Sequence, residues 1–152
     1  MREGTDAVRV LLIDDDPDCA NSTAMLLRHF GAETRTVCDP RLACDEACSF
    51  GPDLIMTDLG MPCLDGCAVA CQLRATEQCK AALLVVASGH ADPLHRALCT
   101  TAGFDEYLVK PVPVEHLVRL LAKARAAKSA TEELGPRHDL LGDLTATEVL
   151  RR

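Results

Sequence analysis

The sequence predicts an α/β fold, a five-stranded doubly wound parallel sheet in (βα)5 order with helices on both faces. Two observations predict it. Short, nearly continuous apolar runs alternate with longer stretches of helical periodicity, and such runs are what strands buried on both faces look like. The alternation repeats five times, and repeated strand–helix units build parallel sheets because each crossover returns over a face of the sheet.

The clearest strands are Val8–Ile13, Leu54–Thr57 and Leu83–Ala87, and Thr34–Val37 and Glu106–Val109 are weaker ones. Asp16 followed by Pro17 offers an N-cap and a first-turn proline for the first helix. Leu26, Leu27 and Phe30 form its stripe and Gly31 its stop. Leu42, Ala43 and Ala47 mark a second helix, Gly66 to Arg74 a third, and Asp92 to Thr101 a fourth, with Gly103 after it. The fifth carries Val114, Leu117, Leu121 and Ala124 on one side and Glu115, Arg119 and Lys123 outside. Beyond about Lys128 the pattern decays: Gly135–Pro136 breaks the helix, and Thr145 to Glu148 has capping-box spacing. That stretch reads as a frayed tail or as the opening of an output domain.

Composition narrows the function classes. A chain of 152 residues fits one domain with a short appendage. At 48% hydrophobic residues it is too apolar to be disordered, and at 3% aromatics its core must be built from Val, Leu, Ile, Ala and Cys. The formal net charge of −7 argues against nucleic-acid binding by this segment. The polar start and the lack of a long apolar run predict a cytoplasmic protein with no membrane association. Nine cysteines form no Cys-x-x-Cys pair. Cys44/Cys48 and Cys63/Cys67/Cys71 recur every four residues, which places thiols on one helix face. They read as small buried residues, with a thiol metal site as the rival.

In parallel α/β sheets, ligands bind at the carboxyl ends of strands. Asp14, Asp15 and Asp16 follow the first strand, Asp58 the third, Ser88 and Gly89 the fourth, and Lys110 and Pro111 the fifth. Each piece alone is an ordinary loop residue. Together, on one rim, they crowd carboxylates whose repulsion needs a cation. Mg²⁺ suits such a set, because it takes carboxylate, carbonyl and water oxygens and commonly bridges to phosphate. A carboxylate can accept a phosphoryl group when a metal and a lysine offset the charge in transfer, and a serine hydroxyl can hydrogen-bond the product.

The stretch from Asp58 to Gly66, DLGMPCLDG, closely resembles the D-x-x-M-P-x-x-D-G signature of response-regulator receiver domains. VLLIDDDP from Val10 to Pro17 and YLVKP from Tyr107 to Pro111 match two further segments of that CheY-like family. The resemblance covers about residues 7–127, and places a receiver domain over 1–127 with a tail or linker over 128–152. It implies a flavodoxin-like strand order of 2-1-3-4-5. It implies that Asp58 accepts phosphate from a sensor histidine kinase or a histidine phosphotransfer protein. Asp14, Asp15, Asp58 and the Gly60 carbonyl would hold Mg²⁺, with Asp15 the more direct ligand, and Lys110 would contact the phosphate. The Lys110–Pro111 bond is often cis in this family. Ser88 and Tyr107 match the family's switch pair, which biases a surface around the fourth helix, fifth strand and fifth helix. Gly60 and His90 stand where receivers border the hydrolytic water, while Asp65 and Gly66 read as loop and helix-start formers.

The expected role is thus a signalling switch rather than an enzyme, acting on a downstream protein or output domain, with phosphorylation-dependent homodimerisation left open. Two alternatives compete. Haloacid-dehalogenase-like phosphatases also use an Asp after a strand, a Ser or Thr, a Lys and Mg²⁺, and Asp14 and Asp16 imitate their first motif. But Pro17 and Asp18 stand where Thr or Val is expected, and nothing in that reading explains Asp58 to Gly66. A non-phosphorylated binding module of the same fold would have lost an acid or the lysine, and all are present. The cognate kinase, the signal and the output target are not legible.

Overall fold

The structure is a computed structural model that describes residues 7–59, 66–89 and 92–130. Its elements run β1 (Arg9–Ile13), α1 (Pro17–His29), β2 (Glu33–Val37), α2 (Ala43–Phe50), β3 (Leu54–Asp58), α3 (Gly66–Arg74), β4 (Leu83–Ser88), α4 (Pro93–Ala102) and β5 (Glu106–Val109). A fifth helix, α5, covers 114–130. Short 3-10 turns, Pro40–Leu42 and Glu77–Cys79, lead into α2 and β4. The five strands are parallel in the order β2-β1-β3-β4-β5, as expected. Among the described residues no helix is long and apolar enough to cross a membrane. The tail with Gly135, Pro136, Thr145 and Glu148 lies outside the described residues.

Both sheet faces are covered, which is why the strands read as continuous apolar runs. Leu11, Ile13, Ile55, Leu84 and Val86 face Ala43, Ala47, Phe50, Val69, Ala70, Leu73 and Cys99 of α2, α3 and α4. Val10, Leu12, Leu54, Met56 and Val85 face Ala24 and Leu27 of α1 and Leu117, Leu120, Leu121 and Ala124 of α5.

The helix ends follow local rules. The Asp16 carboxylate accepts from the Asp18 amide with Pro17 at the first turn, and Asp92 caps α4 through the His95 amide. Gly31 (φ 91°) and Gly103 (φ 110°) take left-handed conformations after α1 and α4, where a Cβ would be strained.

The apolar stripes differ from expectation in detail. Leu26, Phe30 and Val114, which helical spacing places in the apolar stripes, are 40%, 37% and 39% exposed. Alanines take their place in α1, where Ala20 and Ala24 join Leu27 against the sheet. A small residue lets a helix lie close to the strands, so the largest side chains need not mark the inner face.

The pole opposite the strand carboxyl ends is tied by charged groups. The Arg74 guanidinium, at the end of α3, donates to the carbonyls of Gly103 (2.9 Å), Ala82 (2.9 Å) and Lys80 (3.2 Å) and to Asp105 (2.6 Å). Asp105 in turn accepts from the Leu84 amide. Nearby, Asp53 accepts from the Arg9 amide and pairs with Lys128 of α5, which also donates to the Ala7 carbonyl.

Arg74→Ala removes the donor to several carbonyls and a carboxylate at once. It is expected to lower unfolding free energy by about 2–3 kcal/mol, with Arg74→Lys recovering only part, as measured by urea denaturation. A loss within experimental error would show that water replaces the guanidinium without cost.

Candidate phosphoacceptor and metal site

The chain reverses its direction of winding between β1 and β3, and the crevice at such a switch point is where open α/β sheets bind ligands. Asp14 directly follows β1 and Asp58 ends β3, so their carboxylates face each other there. One oxygen from each of Asp14, Asp15 and Asp58 lies within 4.8 Å of the others, and no other such group of His, Cys, Asp or Glu occurs among the described residues.

Asp14 is nearly buried, at 9% exposure, and its Oδ1 accepts from the Asp16 amide at 3.0 Å. The Asp58 Oδ1 accepts from the Leu59 amide at 2.9 Å. The Lys110 Nζ sits 3.4 Å from Asp14 Oδ2 and 3.3 Å from Asp58 Oδ1. Burial alone would lower the Lys110 pKa, but Coulomb attraction to Asp58 and then Asp14 outweighs it, and the net shift is upward.

Three carboxylates against one ammonium leave two negative charges in excess. An all-oxygen donor set with that imbalance fits a hard divalent cation such as Mg²⁺. Asp15 is exposed and faces solvent from this rim, while Asp14 is spoken for by Lys110 and a backbone amide.

Ser88 ends β4 at 2% exposure, and its carbonyl accepts from the Lys110 amide at 2.8 Å. That bond ties the two strand ends together. The Lys110–Pro111 peptide is cis. In the β4–β5 register Tyr107 lies opposite Val86 and Val109 opposite Ser88. Tyr107 is half-buried against the cluster beneath α4. Alternation along β4 puts Ser88 on the same sheet face as Val86, so hydroxyl and ring share that side. Gly60, Cys63, Asp65 and His90 lie outside the described residues.

The sequence reading missed two features. A Cβ on Gly66 would come 2.6 Å from the Asp58 carbonyl oxygen and 3.0 Å from the Leu59 Cα, and the Gly66 amide donates to the Leu59 carbonyl at 2.9 Å. Gly66 is therefore more than a helix start: it lets α3 press against the backbone that carries Asp58. The D-G pair that closes the motif was the available signal. The second is Cys19, which with Asp14, Asp58 and Lys110 lines a cavity of about 580 Å³ between α1 and the start of α5. Burial first, then Asp14, pushes its thiol pKa up.

The other cysteines follow the packing reading only in part: none of the eight described cysteines forms a disulfide, Cys79 and Cys99 are buried, Cys44 and Cys67 are half-buried, and Cys38, Cys48 and Cys71 are exposed. Burial raises the Cys79 pKa to about 11 and the Cys99 pKa to about 12, so neither offers a thiolate at neutral pH.

Comparison with known proteins agrees with this geometry. The family model for the response regulator receiver domain matches residues 10–122, and the chain belongs to that family. It is 36% identical to the transcriptional regulatory protein PrrA of Mycobacterium leprae over 90% of this chain and 60% of that protein. It is 30% identical to the DNA-binding response regulator MtrA of Mycolicibacterium smegmatis over 95% of this chain and 62% of that protein. The chain thus spans about three-fifths of the length of these relatives. Its backbone matches chemotaxis protein CheY4 of Vibrio cholerae with a TM-score of 0.73 and 25% identity, covering 78% of this chain and 98% of that one. It also matches the receiver domain of a sensor histidine kinase from Pseudomonas aeruginosa (TM-score 0.72, 28% identity, 79% and 98% covered), which has a magnesium ion coordinated in its active-site cleft. The chain is a receiver of two-component signalling, built on the CheY-like fold.

Two outcomes follow from the site geometry. Gly66→Ala forces a Cβ against backbone, and should cost about 1–3 kcal/mol in urea denaturation and broaden the Leu59 amide resonance. An unchanged midpoint would mean that α3 moves away freely. For Lys110, a raised folded-state pKa means that its ion pairs add stability fully below the unfolded-state pKa, about 10.4. That stability is lost as pH rises through the higher folded value. Stability should therefore fall at alkaline pH less steeply in Lys110→Met than in the wild type, as read from thermal unfolding between pH 8 and about 11.

Proposed function

We propose that Asp58 is the phosphoacceptor of this receiver. The observation that carries the reading is the position of Lys110, whose ammonium lies within 3.4 Å of both Asp14 and Asp58 at the switch point. An Asp58 carboxylate oxygen attacks the phosphorus of a phosphohistidine on a sensor histidine kinase or histidine phosphotransfer protein. The P–N bond breaks, the imidazole leaves with its electron pair, and an acyl phosphate remains on Asp58.

Asp14, Asp15, Asp58 and the Gly60 carbonyl would hold Mg²⁺, which supplies charge neutralisation to the phosphoryl oxygens. Lys110 moves its charge from the two carboxylates to the incoming phosphate. Ser88 donates its hydroxyl to a phosphate oxygen, and Tyr107 turns inward behind it. The surface of α4, β5 and α5 then changes its affinity for a downstream protein, an output domain or a second copy of the chain. Exposed Leu94, Leu98 and Val118 on that surface support a protein partner. The net charge of −7 supports a segment that does not itself touch nucleic acid. The receiver occupies about residues 7–127, works in the cytoplasm, and catalyses only its own phosphorylation and dephosphorylation.

Intact-mass spectrometry after incubation with Mg²⁺ and acetyl phosphate tests this. The wild type should gain one phosphoryl group, Asp58→Asn none, and Asp15→Asn should lose the dependence on Mg²⁺ along with most of the labelling. Labelling that survives in Asp58→Asn would place the acceptor elsewhere. If acetyl phosphate is a poor donor, a phosphohistidine donor protein should label the wild type alone.

A further inference from the structure

Tyr107 does not face open solvent. The guanidinium of Arg96, on α4, lies over its ring at 5.0 Å from the centroid. Among the described residues two other arginines stack, Arg35 and Arg9 over Phe50 at 4.7 and 5.8 Å. Both are also held by carboxylates, Arg35 by Glu46 and Arg9 by Glu33. Arg96 has no carboxylate within ion-pair distance among the described residues. Glu106, the acid next to Tyr107 on β5, points to the other sheet face and pairs with Arg119 and Lys123 of α5. The ring face is thus what localises the Arg96 charge. The energetic consequence is that any motion of the ring away from α4 strands that charge in water and loses the stacking.

We infer that Arg96 is a latch on Tyr107: its cation–π contact holds the ring in the position seen here and opposes the inward turn that accompanies phosphorylation. This rests on the switch role of Tyr107 given above. Ser88 and Tyr107 share a sheet face two register pairs apart, so a ring that swings toward the strand end fills the space that the Ser88 hydroxyl vacates. That swing carries the ring along β5 and out from under Arg96. A partly exposed cation–π contact shifts such an equilibrium about two- to five-fold. By linkage the phosphorylated state is disfavoured by the same factor, because the phosphoryl group prefers the inward conformer. Arg96 therefore sets the threshold of the switch without touching the phosphoryl group.

The chain contains one tyrosine and no tryptophan, so tyrosine emission reports on this ring alone. The test compares wild type, Arg96→Met and Arg96→Lys, each with Mg²⁺ and with or without acetyl phosphate, by acrylamide quenching of emission and by intact mass. Arg96→Met is expected to raise the labelling rate two- to five-fold and to make the unphosphorylated ring less accessible to acrylamide, as it turns inward. Arg96→Lys falls between. Merely uncovering the ring would do the reverse and make it more accessible, and that result overturns the latch. In a Tyr107→Leu background Arg96→Met should leave the labelling rate unchanged, since the coupling requires both partners; an undiminished effect there also overturns it. If the wild type is labelled but its quenching does not change, the switch role of Tyr107 fails and the latch with it. If quenching responds to labelling but not to Arg96→Met, only the latch fails.

Discussion

The site depends on one unequal Coulomb contest. Three carboxylates meet at the end of β1 and β3, and a single ammonium, Lys110, stands between two of them. In the folded chain this ammonium is what permits Asp14 to be buried next to Asp58 without a metal, since an unpaired buried charge would cost several kcal/mol. The contest is left unresolved by about two charges. That residue of negative potential fits a hard divalent cation. The strand ends are also mechanically joined, because the Lys110 amide donates to the Ser88 carbonyl. Any pull on Lys110 is therefore felt at β4 as well as at β1 and β3.

Much of this was legible in the residues. The strands could be read because both faces are buried, so Leu11 and Ile13 on one side and Val10 and Leu12 on the other leave no polar gap. The rim residues could be read because a parallel sheet brings every strand's carboxyl end to one edge, whatever their distance in sequence. The helix faces were less legible. Sequence patterns weight large apolar residues, whereas α1 packs through Ala20 and Ala24 and leaves Leu26 and Phe30 outside. Close backbone approaches were not legible either. Gly66 looks like any helix-opening glycine until the 2.6 Å that a Cβ would leave to the Asp58 carbonyl is measured. Cys19 was hidden among nine cysteines because its relation to Asp14 depends on how α1 leaves the sheet.

The cysteines illustrate how context decides chemistry. The four-residue spacings suggested thiols presented together on a face. The described members of those spacings, Cys44, Cys48, Cys67 and Cys71, are half-buried or exposed, whereas Cys79 and Cys99, outside them, are buried, have raised pKa values and behave as small apolar side chains. Aromatic residues are scarce, so the core fills with short side chains, and helices lie close to the sheet.

Charged groups also tie the far pole of the sheet together. Arg74 joins the end of α3 to the starts of β4 and β5, while Asp53 and Lys128 join the starts of β1 and β3 to the end of α5. The strands are thus bound where they begin as well as at the rim, where Lys110 and Ser88 join their ends, like the ribs of a hand fan riveted at the grip. The end of α5 therefore lies at the riveted pole, beside the starts of β1 and β3, and the acidic rim lies at the opposite edge of the sheet.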